Sequence, residues 1–177
     1  QVAANTEEQT AVTQTLASGI MNLSTEADFL VNNCDRTGRD IFEASKKIDA
    51  IRGEMAKNRL CISDADMMDI YITDHLLWRW RVYNMLLGYE TVDINIVSDY
   101  KNCRLGKWYY GIDCKKLENN RHFVDLEKPH MELHRIAKEA VLAYEKNDKR
   151  SAEMYLEQMD NCSKVIIDIL LQLKKAL

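Results

Sequence analysis

The sequence predicts an all-α protein, and three observations carry that prediction. One proline and six glycines stand among 177 residues that are 46% hydrophobic and 29% charged, which leaves little material for the turns an all-β fold needs. An apolar repeat of alternating three- and four-residue steps runs unbroken from Thr13 to Met55. Beyond it, residues that start and stop helices punctuate further amphipathic stretches.

In the first stretch, Leu16, Leu23, Leu30, Thr37, Ala44 and Ile51 hold one position of the repeat, and Thr13, Ile20, Ala27, Cys34, Ile41, Ile48 and Met55 hold the other. Eleven of these thirteen are apolar or cysteine, over about six heptads, which is the pattern of a coiled-coil seam. Its small and polar members (Thr13, Ala27, Thr37, Ala44) suit one strand of a larger bundle better than a simple leucine zipper. The repeat lapses between Gly53 and Asp64, so a linker is expected near 56–63, with a coiled-coil segment at 1–58 and a second domain at 59–177. Ser63 or Asp64 can cap a helix running to about Leu87, with Gly88 placed to end it in a left-handed conformation. Residues 91–102 read as a short helix or irregular connection, and Cys103 to Gly111 as a turn or short helix whose Gly106 permits close backbone approach. The segment 109–128 receives no conformational assignment. Pro129 fits the first turn of the next helix, which runs to about Lys146. Asn147 and Asp148 break it, and a last helix from about Lys149 turns Met154, Met159, Cys162, Ile166, Ile169, Leu170 and Leu173 inward.

A formal net charge of -4 gives no broad basic surface, so neither nucleic acid nor anionic membrane is an expected partner. No run reaches the roughly 20 apolar residues of a spanning helix. A start at Gln1 without a signal-peptide layout suggests a fragment of a longer protein. Five scattered cysteines (Cys34, Cys61, Cys103, Cys114, Cys162) argue for reduced thiols in a cytoplasmic setting rather than a disulfide framework.

Three of the four histidines and one cysteine stand where they can converge on a metal. His130 and His134 are four apart, so on a helix both imidazoles leave one face about 5–6 Å apart at Cβ, within the span of one zinc ion. That pair alone is a weak signal, since such pairs recur on helix surfaces. His75, on another helical segment, and Cys103, in a glycine-containing turn, complete a set of one cysteine and three histidines. His122, among Asn119, Asn120 and Arg121, reads as a solvated loop residue. Asp74, Asp69 and Glu132 read either as carboxylates that orient a ligand imidazole or as ordinary solvated charges. Trp78, Trp80 and Trp108 belong to the core or wall the site from water. Cys114 reads as a bystander.

The order His-x-x-aromatic at His75, Cys-x-Leu-Gly-x-Trp at Cys103, and Pro-His-x-x-x-His at Pro129 resembles the chemoreceptor zinc-binding domain of bacterial cytosolic receptors and diguanylate cyclases, over about residues 64–175. The resemblance implies that His75, Cys103, His130 and His134 bind zinc and that the fold is an antiparallel four-helix bundle. Residues 1–55 also resemble the descending helix of a bacterial chemoreceptor's signalling hairpin, with Val-Ala-Ala-Asn-Thr-Glu-Glu-Gln-Thr-Ala-Val (residues 2–12) following the kinase-contacting tip.

Four protein ligands would close the zinc shell and leave no position for a catalytic water, and no Gly-rich phosphate loop, HExxH or Gly-x-Ser-x-Gly is present, so no enzyme is expected. The resemblance implies a regulatory sensor of a homodimeric receptor that governs a chemotaxis histidine kinase through a coupling protein. Zinc itself can be the signal, or Cys103, held as thiolate, can be the redox sensor of an oxidant such as hypochlorous acid. The second is favoured, because one soft ligand among three imidazoles makes one reactive point. A purely structural zinc bundle used for dimerisation is the alternative.

Overall fold

The structure, a computed structural model, describes residues 2–57, 62–111, 114 and 117–177, and the side chains of all of these except Val2 and Ala4. Among the described residues six helices follow one another: α1 (Val2–Lys57), α2 (Asp64–Leu86), α3 (Ile94–Ser98), α4 (Arg104–Tyr109), α5 (Arg121–Glu145) and α6 (Lys149–Ala176). No strand occurs among the described residues, and the all-α fold is the one the sequence predicts. Half of the linker expected near 56–63, residues 58–61 with Cys61 among them, lies outside the described residues. Two compact units form, Gln1–Ile41 and Phe42–Leu177.

The first unit is helix alone. Leu16, Ile20, Leu23 and Leu30 of the apolar repeat are all exposed. Its threonines turn their hydroxyls back onto their own helix, Thr13 donating to the Gln9 carbonyl at 2.7 Å and Thr25 to that of Met21 at 3.0 Å.

In the second unit the helix ends follow from local chemistry. Ser63 Oγ accepts the Asp66 amide at 3.1 Å, and Asp64 and Asp66 set negative charge in the first turn of α2, where the helix dipole favours it. At its other end Gly88 adopts φ 79°, its amide donating to Met85 and that of Tyr89 to Asn84, both at 2.9 Å. An L side chain at Gly88 would strain this closure. Asn120 caps α5 by accepting the His122 amide at 2.9 Å. The helix therefore begins eight residues before Pro129, which lies inside it instead of in its first turn. The cap overrides the proline signal: one missing N–H costs a single backbone hydrogen bond within a helix that packs along its length. Asn147 turns at φ 62° and Asp148 accepts the Ser151 amide at 3.1 Å, so α5 and α6 are joined by a tight connection that makes them antiparallel.

The ion pairs Arg79–Asp160 at 3.2 Å and Lys174–Asp69 at 2.5 Å set α2 antiparallel to α6 as well. Between these three helices lie Met68, Tyr71, Val82, Leu126, Leu133, Met159, Ile166, Leu170 and Leu173, all buried, each worth about 1.5–3 kcal/mol of transfer free energy. Met154, expected inside, is exposed: Ala152 and Met159 take the inward positions on that part of α6. The last part of α1 joins this unit through a polar stripe. Ser45 and Arg52 are buried, while Ile48, Ile51 and Met55 of the apolar repeat stay exposed.

Candidate metal centre

His75 stands in the middle of α2, Cys103 caps α4, and His130 and His134 occupy successive turns of α5. The ligand atoms of Cys103, His130 and His134 all lie within 4.8 Å of one another, with Cys103 Sγ 3.2 Å from His130 Nε2. His75 is outside that trio, yet its ring centroid is 5.3 Å from that of His130, and the centroids of His130 and His134 are 4.9 Å apart.

Two of the three histidines are set in the tautomer a metal requires. His75 Nδ1 lies 2.6 Å from the Tyr71 carbonyl and His134 Nδ1 lies 2.7 Å from that of Val97. A carbonyl only accepts, so both Nδ1 atoms carry the proton and both Nε2 atoms present a lone pair. These two Nε2 atoms are buried without a hydrogen-bond partner. Burial pushes all three imidazoles away from the charged form, His75 to about 4, His130 to about 2 and His134 downward. Uncharged nitrogens with idle lone pairs in a dry interior are costly unless a cation takes them up, and this cluster fits zinc. A tetrahedral zinc separates its ligand atoms by about 3.3–3.8 Å, so the trio needs only a small contraction to close on one.

Cys103 reaches the cluster from a tight turn. Its sulfur accepts the Gly106 amide at 3.2 Å, and a Cβ at Gly106 would fall on the Tyr100 carbonyl oxygen, so only glycine allows this turn. Without a metal, burial raises the Cys103 thiol above its ordinary range against the opposing pull of the Gly106 and Leu105 amides. Metal coordination must therefore expel its proton. Trp78, with its ring centroid 6.2 Å from that of His134, walls one side. Trp108 packs on Tyr71 and Phe123 in the core.

His122 lies exposed in the first turn of α5, a helical and not a loop position. Cys114 is buried with its thiol on the Trp108 carbonyl. Cys34, Cys103, Cys114 and Cys162 form no disulfide. Asp69 pairs with Lys174 and Glu132 with Arg135 at their surfaces. Asp74 is different: it is 8% exposed and ion-paired to Arg52 of α1 and to Arg104 of α4. The sequence offers no local sign of this, because both partners come from other elements.

A helical bundle that gathers Cys103, His130 and His134 with His75 beside them carries a cluster able to hold a metal ion. Residues 75–141 match the family model of the chemoreceptor zinc-binding domain. The match runs from the first histidine of the cluster to beyond the last. Its cofactor is zinc. No curated protein and no solved structure matches the chain.

Proposed function

We propose that this is the zinc-bound sensor domain of a bacterial chemoreceptor, with His75, Cys103, His130 and His134 as the four ligands and Cys103 as the point at which an oxidant acts. The observation that carries this is the unequal exposure of the four. His75, His130 and His134 are 2–3% exposed, whereas Cys103 is partly exposed and lines a cavity of about 220 Å³. A small oxidant reaches the thiol end of the cluster, while His75, which lines the same cavity, stays almost wholly covered. Bound zinc supplies the positive charge that holds Cys103 as thiolate. The thiolate sulfur then takes the electrophilic chlorine of hypochlorous acid, and hydrolysis leaves sulfenic acid: Cys–S⁻ plus HOCl gives Cys–SOH plus Cl⁻, sulfur losing two electrons and chlorine gaining them. A sulfenate is the poorer ligand, so oxidation loosens α4 from α5.

With four protein ligands the centre has no open position for a substrate, which supports regulation and not catalysis. The apolar repeat of α1 supports a homodimer through residues 1–55, read as the hairpin helix of a receptor that acts on a chemotaxis kinase with its coupling protein. No helix of the described residues is long and apolar enough to cross a membrane, which suits a cytoplasmic domain. The test is a substoichiometric hypochlorous acid titration of wild type and Cys103→Ser, following zinc release and mapping modified thiols by mass spectrometry. Cys103 is expected to oxidise first, with zinc released in step. Oxidation of Cys34, Cys61, Cys114 or Cys162 while zinc stays bound would leave a purely structural zinc bundle as the function.

A further inference from the structure

From the geometry around Asp74 we infer that this residue is a latch that ties the last turns of α1 to the metal centre, so that the state of the centre sets how firmly residues 42–57 are held. The inference rests on the zinc reading of the four ligands. Asp74 directly precedes His75, and Arg104 directly follows Cys103. Asp74 holds Arg104 by one hydrogen bond and by charge: Oδ2 accepts from Nε at 3.0 Å, and Oδ1 lies in ion-pair contact 2.9 Å from Nη2. The same Oδ1 pairs with Arg52 Nη2 of α1. One carboxylate therefore joins the neighbour of one ligand, the neighbour of another, and the helix that leaves the domain.

The charges make this a switch and not a surface ornament. Arg52 is 6% exposed, and its Nε and Nη1 have no hydrogen-bond partner. Asp49, 3.4 Å from Nη1 and 3.7 Å from Arg104, is half exposed and gives only a looser hold. Asp74 is thus the buried one of the two carboxylates that face Arg52. A buried charge robbed of its partner is strongly unfavourable, so Arg52 stays inside only while Asp74 is in place. Successive residues on a helix point about a third of a turn apart, so His75 and Asp74 face different neighbours but turn together. Any rotation of α2, or displacement of Cys103 with Arg104, that follows loss of a ligand must move the Asp74 carboxylate and weaken its grip on Arg52. The cavity beside Cys103 lies between these same groups, lined by Asp49, Arg52, Asp74 and Arg104, so the end of α1 also covers the approach to the thiol. Phe42 of α1 also stacks on Tyr89, the ring centroids 6.3 Å apart.

Amide hydrogen exchange of the full chain, with zinc bound and after chelation, tests the latch in wild type, Arg52→Met and Asp74→Asn. Arg52→Met is the cleaner variant, because it spares the Asp74–Arg104 grip; Asp74→Asn serves if it does not fold. In wild type, chelation is expected to speed exchange across residues 42–57 by about tenfold or more. Either variant should still bind one zinc per chain and still show zinc-dependent protection in residues 121–145, while residues 42–57 exchange fast whether or not zinc is present. If a zinc-loaded variant keeps wild-type protection at 42–57 and loses it on chelation, the latch is wrong and the zinc reading stands. Wild type that binds no zinc overturns both.

Discussion

In the first unit Leu16, Ile20, Leu23 and Leu30 are each more than 60% exposed, whereas in the second three histidines, an aspartate and an arginine are each less than 10% exposed. That inverts the ordinary distribution of polar and apolar side chains. The difference teaches that burial here follows partners and not polarity. His75 and His134 are inside because each has a carbonyl for its N–H and a cluster for its lone pair, and Asp74 because it has two guanidinium groups. The leucines and isoleucine of α1 are outside because one helix cannot cover its own stripe. An apolar stripe of that length is stable in water only against another helix.

The largest effect should come from the polar side of this contrast. Removing zinc with a chelator, or replacing a ligand by His134→Ala, is expected to lower the melting temperature of the second unit by about 10 °C, from about 4 kcal/mol of linkage at a thousandfold excess over the dissociation constant. Calorimetry with and without chelator measures it. An unchanged melting temperature would mean that the imidazoles are buried for packing alone.

Truncating an apolar residue in each region sharpens the contrast from the other side. Leu126 is fully buried, so Leu126→Ala should cost about 2–5 kcal/mol by denaturant unfolding of the bundle. Leu23→Asp should leave bundle stability unchanged and instead shift sedimentation from dimer to monomer. A Leu23→Asp protein that remains dimeric would show that the apolar stripe is not the contact between copies.

How legible each region was in the sequence follows the same division. The helices and the Ser63, Gly88 and Asp148 boundaries were readable because they depend on local periodicity and capping chemistry, and of the four metal-binding candidates Cys103, His130 and His134 come together. The start of α5 was misplaced because Pro129 is a loud signal and Asn120 a quiet one, yet the cap lies where the chain first turns helical. Asp74 was hidden for a deeper reason. Nothing within a few residues of it shows that Arg52 and Arg104 will arrive from α1 and α4, and an aspartate on a helix beside a ligand looks the same whether solvated or clamped. Pairings between elements have no local signature, and the network around Arg52 is made only of those.

Acid should weaken the polar interior of the second unit while leaving the first unit untouched. In the metal-free protein the buried histidines titrate below the ordinary value of 6.5, His75 at about 4. A folded-state value below the unfolded one means that the unfolded chain binds more protons in the interval, so the contribution is complete above pH 6.5 and is lost as pH falls toward 4. Each histidine forced to charge gives a slope of about 1.4 kcal/mol per pH unit in that window. Chelated protein followed by denaturant unfolding between pH 7 and 4 should show it, and His75→Gln should flatten it. A flat profile in wild type would place these imidazoles in a wetter setting than the bundle provides.

The smallest expected effect concerns the start of α2, which carries His75. Ser63 accepts the Asp66 amide and donates its own hydroxyl to the Asp66 carboxylate at 2.6 Å, so one side chain satisfies an orphan N–H and steadies a charge favourable to the helix dipole. Ser63→Ala should cost about 1 kcal/mol, while Ser63→Asp, which keeps the acceptor but sets a second carboxylate against Asp66, should recover only part of that. Both variants leave every ligand in place, so zinc content should stay at one per chain and the melting temperature should fall by a few degrees. That separates fraying of a helix end, eleven residues before His75, from damage to the centre itself. Loss of zinc from Ser63→Ala would mean that the first turn of α2 is part of what holds His75 in register, and the polar interior would then depend on a surface cap as much as on its own ligands.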